Sequence, residues 1–206
     1  NMNYCECVEC KKLGDVSTRW QIFSANVIKL VEKEYPGKKY ANIAYQGYRD
    51  VPSGDLAPFE YTDYCLYNRC YRHLFAEEVV EDTGALKEIQ LWQDKGAKMG
   101  IWGYEFDITS DPIFFPLLSM EVDQASYFAK NGIGSFHTEI RPLGTPATDP
   151  PDRQAWNSYR LPLYALAKAT WDANITAADI LHDWTTHLYG PAAKPMADYY
   201  WAMEEA

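Results

Sequence analysis

The chain has 206 residues, 47% of them hydrophobic, which is enough to bury a core and too apolar for a disordered segment. A formal charge of -10, with the 19 Lys and Arg residues gathered in no run, repels a phosphate backbone and excludes nucleic acid as an expected partner. No stretch approaches the roughly 20 uninterrupted apolar residues of a membrane span, so no membrane partner is expected either.

In chain order, the first feature is a C-x-C-x-x-C cluster, Cys5, Cys7 and Cys10. Trp20, Phe23, Val27, Leu30 and Val31 then recur on one face of a helix between Thr18 and Tyr35, which Pro36-Gly37 stops. Strands are predicted from Ala41 to Tyr45 within Tyr40–Tyr48, and again from Tyr64 to Cys70 after a proline-containing connection. Thr83 is positioned to cap a helix from Gly84 to Lys95 with Leu86, Ile89 and Trp92 inward, and Gly96 supplies a left-handed stop. Lys98 to Tyr104 reads as a third strand. Pro116 opens a helix through Leu118, Val122, Ala125 and Phe128, ended by Asn131-Gly132, and Gly134 to Glu139 reads as a fourth strand. Beyond the loop Pro142–Pro151 the pattern is helical only. One helix carries Trp156, Tyr159, Leu163 and Trp171, with a bend expected at Pro162. A second follows a capping box of Thr176 and Asp179, and a third follows Gly190-Pro191.

Strands separated by helices at this spacing indicate parallel β/α units. About four are present, whereas a closed barrel of this type needs eight strands and about 250 residues. The fold expected is therefore α/β: the C-terminal half of a TIM-type (β/α)8 barrel over residues 1–145, followed by a helical segment, 146–206. A small doubly wound sheet competes, but no glycine-rich phosphate turn follows the first strand. Half a barrel exposes a sheet edge and an apolar interior, so self-association through the open edge is expected.

In parallel β/α folds, ligand groups sit just beyond the carboxyl ends of strands. The third strand ends in Trp102, Tyr104, Glu105 and Asp107, the fourth in His137 and Glu139. Two carboxylates on adjacent strand ends suit glycoside hydrolysis, which makes Glu105 and Glu139 the candidate catalytic pair; each is equally able to cap a loop or pair with an arginine. Tyr45, Tyr67, Arg69 and His73 follow the first two strands. With Trp102, Tyr104, Asp107 and His137 they are the candidate substrate-binding residues, and Arg69 suits a uronate carboxylate. The 7 Trp and 16 Tyr of the chain, many beside polar residues, suit sugar rings or the rim of a core. Carbohydrate is thus the expected partner. Cys5, Cys7, Cys10 and Cys70 have the ligand number of a structural zinc site but not its usual paired C-x-x-C spacing; a disulfide and unbridged structural thiols remain as alternatives, and no cofactor is otherwise required.

Several short motifs occur in a familiar order: Tyr4-Cys5-Glu6-Cys7-Val8-Glu9-Cys10, Ile43-Ala44-Tyr45, Asn68-Arg69-Cys70 with His73, Ile101-Trp102-Gly103-Tyr104, and Trp171-Asp172 before Leu188-Tyr189-Gly190. In this order the chain resembles the domain of unknown function 4838 family, bacterial proteins similar to α-glucuronidase-type barrels. The resemblance implies a barrel entered after its fourth strand, with the cysteine cluster in the loop that follows it and a general acid encoded ahead of Asn1. It implies a glycoside hydrolase-like protein acting on uronate-containing or other complex polysaccharide, the alternative being a non-catalytic binding or scaffolding domain. The expected location is extracellular or periplasmic, where a disulfide would also persist.

Overall fold

A computed structural model describes residues 4–67, 69, 71, 73–75, 84–106, 117–140 and 154–205, and the side chains of these except at 105, 106, 140 and 154–158. The elements, in order, are α1 (Val8–Lys12), α2 (Val16–Glu34), β1 (Ala41–Ala44), a 3-10 turn (Gln46–Tyr48), β2 (Tyr61–Cys65), α3 (Ala85–Asp94), β3 (Met99–Phe106), α4 (Leu118–Lys130), β4 (Ser135–Ile140), α5 (Gln154–Trp171), α6 (Ala177–Tyr189), a second 3-10 turn (Gly190–Ala192) and α7 (Ala193–Glu204). The protein is α/β, with one open parallel sheet in the order β1-β2-β3-β4. None of the described helices is long and apolar enough to cross a membrane.

Two compact units divide the chain. The first comprises Asn1–Arg69, Thr83–Gly103 and Gly132–Thr138, and the second Cys70–Asp82, Tyr104–Asn131 and Glu139–Ala206. In the first, β2 pairs Ala41↔Tyr61 with β1 and Asp63↔Gly100 with β3. The second strand begins at Tyr61 and ends at Cys65, earlier than the run Tyr64 to Cys70 suggested. Tyr61-Thr62-Asp63 has neighbours on both sides to bond with, and that pairing overrides a local pattern in which an aspartate reads as loop. Thr62, Tyr64, Met99 and Ile101 are buried, as expected of one face of a covered sheet, where alternate residues point the same way. The helix α2 meets this sheet through Trp20, whose Nε1 donates to Asn42 Oδ1 at 2.8 Å, while the Trp20 ring stacks on Tyr48 at 4.6 Å.

Asp15 caps α2. Its Oδ1 accepts from Thr18 N at 2.6 Å and its Oδ2 from Ser53 N at 2.9 Å, tying the helix start to the β1–β2 connection. Burial, which would raise the Asp15 pKa, is outweighed by these hydrogen bonds, and the carboxyl is held far below the usual range. The helix α3 starts after Gly84, which makes no side-chain cap; Thr83 lies outside the described residues. Gly96, at φ 94°, is the left-handed stop expected there.

Among the described residues, the second unit holds the helices α4 to α7 and the ends of β3 and β4. Leu118, Leu161, Ala165, Ile180 and Leu181 form its core, with Trp184, Ala197 and Trp201 packed against it. The α5 helix runs through Pro162 to Trp171. Thr176 and Asp179 form the full capping box at the start of α6. The N-terminus of α4 has no cap of its own; the Glu204 carboxylate accepts from Leu118 N at 2.9 Å and from Ser119 N at 3.0 Å. Pro116, expected to open this helix, lies outside the described residues.

Candidate functional site

The face of the sheet opposite Thr62 and Tyr64 carries polar and aromatic side chains. Asp63 stands at its centre because Gly100, its partner on β3, has no side chain to block it. A Cβ at Gly100 would lie 2.1 Å from Asp63 Oδ1 and 2.2 Å from Ser135 Oγ. The carboxylate therefore reaches across β3 to β4, where Ser135 Oγ donates to Oδ1 at 3.3 Å and His137 Nδ1 lies 3.0 Å from Oδ2. The His137 ring is stacked near Tyr61, with centroids 6.2 Å apart, and lies 6.0 Å from the Trp102 ring. Strand alternation accounts for the set, since Tyr61, Asp63, Gly100, Trp102, Ser135 and His137 all share one parity of the register.

Asp63 is buried, with 7% side-chain exposure, beneath a His137 that is 44% exposed. Burial pushes the Asp63 pKa up, against the lowering effect of His137 and Ser135. A carboxylate that engages Nδ1 orients the imidazole and leaves Nε2 to meet a ligand, an arrangement suited to hydrogen bonding or proton transfer at a hydroxyl. The flanking rings offer apolar surface on either side.

Beyond the ends of β1 and β2, Tyr45 and half-exposed Tyr67 meet edge to face at 5.9 Å, and the Arg49 guanidinium lies 5.0 Å from the Tyr67 centroid and 5.6 Å from that of Tyr64. Arg69 is buried. His73, Tyr104 and Glu139 belong to the second unit, and each is partly buried. Glu105 lies in β3 with its side chain outside the described atoms, and Asp107 and Cys70 are outside the described residues. Of the candidates from the sequence, the structure thus joins Trp102 with His137, Tyr45 with Tyr67, and Cys5, Cys7 and Cys10 with one another. Asp63, Tyr61, Ser135 and Arg49 were not singled out in the sequence. The available signal was a charged residue between β-forming neighbours in Tyr61-Thr62-Asp63-Tyr64.

The cysteine cluster occupies the turn into α1. The Sγ atoms of Cys5, Cys7 and Cys10 lie within 4.8 Å of one another, and no disulfide joins them. Cys7 is the N-cap, its sulfur accepting from Cys10 N at 3.5 Å. This bond, with a further one from Cys5, brings the Cys7 pKa down to about 7, while Cys10, hydrogen-bonded to Cys5 and Cys7, is pushed up to about 11.

The family model described as "Domain of unknown function (DUF4838)" matches residues 1–202. No curated protein and no solved structure matches the chain.

Proposed function

The chain belongs to the domain of unknown function 4838 family, and on that premise we propose a glycoside hydrolase-like, carbohydrate-active role within the C-terminal half of a (β/α)8 barrel. In this reading residues 1–145 supply the barrel portion and 146–206 a helical segment. The observation that carries it is the sheet face on which buried Asp63 holds accessible His137 between Tyr61 and Trp102. Within a closed barrel that face would line the interior, and polar groups between aromatic rings match a sugar, whose C–H faces stack while its hydroxyls hydrogen-bond.

Glu105 and Glu139 would be the carboxylates of the reaction, each near the end of its strand. Tyr45, Tyr67 and Arg69 follow β1 and β2, where a ring substituent would meet them, and an arginine there suits a uronate. The edge strands of the described sheet, β1 and β4, support self-association, and a polysaccharide partner supports an extracellular or periplasmic location. The second reading, a non-catalytic carbohydrate-binding domain, is favoured by the engagement of Asp63 with Ser135 and His137, which ties up the described carboxylate nearest the aromatics.

Calorimetric titration with acidic oligosaccharides and turnover of aryl glycosides, an aryl α-glucuronide among them, test both. Saccharide binding is expected to fall about tenfold or more in Trp102→Ala and Tyr61→Ala, since a ring's stacking is typically about 0.5–1.5 kcal/mol beyond its area burial. Turnover abolished by Glu105→Gln with Glu139→Gln would establish the enzyme; binding without turnover would favour the second reading. Absence of binding to every saccharide tried would refute both.

A further inference from the structure

We propose that Cys5, Cys7 and Cys10 form a three-thiolate site for a single soft divalent metal ion of the zinc class, with its fourth position left to a ligand other than these three. The proposal stands apart from the carbohydrate reading and rests on different residues.

Tetrahedral thiolate sites place sulfur about 2.3 Å from zinc, which sets neighbouring sulfurs about 3.8 Å apart. The three sulfurs here already lie within 4.8 Å of one another, so side-chain rotation that closes each separation by at most about 1 Å brings them onto one ion. The backbone that carries them is anchored independently of any ion. Tyr4 packs its ring so closely over Gly47 that a Cβ there would lie 2.3 Å from the ring. Arg19 on α2 donates Nη1 to the Cys5 carbonyl and places Nη2 3.8 Å from Glu6. Anchored at Tyr4 and Cys5 and turned into α1 at Cys7, the segment presents its thiols as a set, which lowers the ordering cost of binding.

Two further observations suit a metal. The Cys10 N–H already points at Cys7 Sγ, the kind of outer-shell bond that supports a metal-bound thiolate. The surrounding charged groups, Glu6, Glu9, Lys11, Lys12 and Arg19, are largely paired among themselves, so the charge of three thiolates is left for the ion to offset. Soft sulfur ligands select zinc-class ions over magnesium or calcium. On binding, each S–H releases its proton to water as its S–metal bond forms, and no electrons are transferred. Cys5 and Cys7 are exposed and Cys10 is partly so, which keeps the site within reach of an entering ion and of a fourth ligand.

The experiment is titration of the reduced, metal-free chain with Co²⁺ and Cd²⁺, followed by the visible bands of tetrahedral cobalt and the ultraviolet sulfur-to-cadmium charge-transfer band. One ion per chain is expected. Cys5→Ser, Cys7→Ser and Cys10→Ser should each weaken binding by at least about 100-fold, the upper end of what losing only an outer-shell partner costs. Cys65→Ala, at the buried end of β2, should leave it unchanged. A second readout needs no variant: saturating Cd²⁺ should protect three thiols from alkylation, assigned to these positions by mass spectrometry. Lack of stoichiometric binding, binding undiminished in the triple serine variant, or protection of other cysteines would overturn the proposal.

Discussion

Replacing Gly100 by alanine probes the polar face directly. The added methyl would sit 2.1 Å from Asp63 Oδ1 and 2.2 Å from Ser135 Oγ, where carbon needs more than 3 Å from either oxygen. Both groups must retreat by about 1 Å, and the methyl lies in the path of the 3.3 Å Ser135–Asp63 hydrogen bond. Forcing a methyl into packed structure costs about 1–3 kcal/mol, and loss of a hydrogen bond to a buried carboxylate adds about 1.5–3 kcal/mol. Gly100→Ala is therefore expected to destabilise the chain by about 2.5–6 kcal/mol, read by urea denaturation with tryptophan fluorescence. The cause can be isolated in a mutant cycle: in an Asp63→Ala, Ser135→Ala background both oxygens facing the methyl are gone, and the same substitution should cost less than about 1.5 kcal/mol. A loss below about 1 kcal/mol in the wild-type background, or an equal loss in both backgrounds, would refute the close approach as the reason for glycine here.

Asp63 also sets a pH dependence. Burial raises its folded pKa, so the folded state binds more protons than the unfolded one through the acid range, and this contribution to stability is present below the ordinary carboxylate pKa and lost as pH rises through the folded value. Wild type should thus lose stability relative to Asp63→Asn as pH rises through that window, and a flat difference in denaturation midpoints would contradict it. At the other end of the chain, Glu204→Ala removes the carboxylate that serves as the cap of α4 and should cost about 1–2 kcal/mol, with Glu204→Gln losing only part of this. Thermal melts followed by circular dichroism check the order, and equal costs for the two variants would argue against a charge–dipole contribution.

Periodicity alone marked where most of the elements of this protein lie. The stripe Trp20–Val31 lies on α2, although there the structure leaves Phe23, Val27 and Leu30 exposed and buries Ser17, Thr18, Gln21, Ser24 and Ile28 instead. The runs Ala41–Tyr45, Lys98–Tyr104 and Gly134–Glu139 overlap β1, β3 and β4, and Thr176 with Asp179 starts α6 because both hydrogen bonds of a capping box are local in sequence. The parallel sheet followed from the alternation of strands with helices. The motif of three early cysteines was visible as well, as were Trp102 and His137, although the structure sets these two within β3 and β4 and not at the strand ends. What required tertiary structure was whatever depends on register. Asp63 looked like part of a connection until pairing with β1 and β3 drew Tyr61–Asp63 into the sheet, and Gly100 was an ordinary strand glycine until its alignment with Asp63 left a side chain there no room without displacing Asp63 and Ser135. Glu204 caps a helix that begins 86 residues earlier, and Leu118 shares a core with Leu161 and Ile180. The sulfurs of Cys5, Cys7 and Cys10 converge because Gly47 and Arg19, far along the chain, hold the backbone that bears them. Local patterns record which face of an element is apolar, but partners distant in sequence leave no periodic trace, and only folding brings them within the few ångströms over which hydrogen bonds and close contacts act.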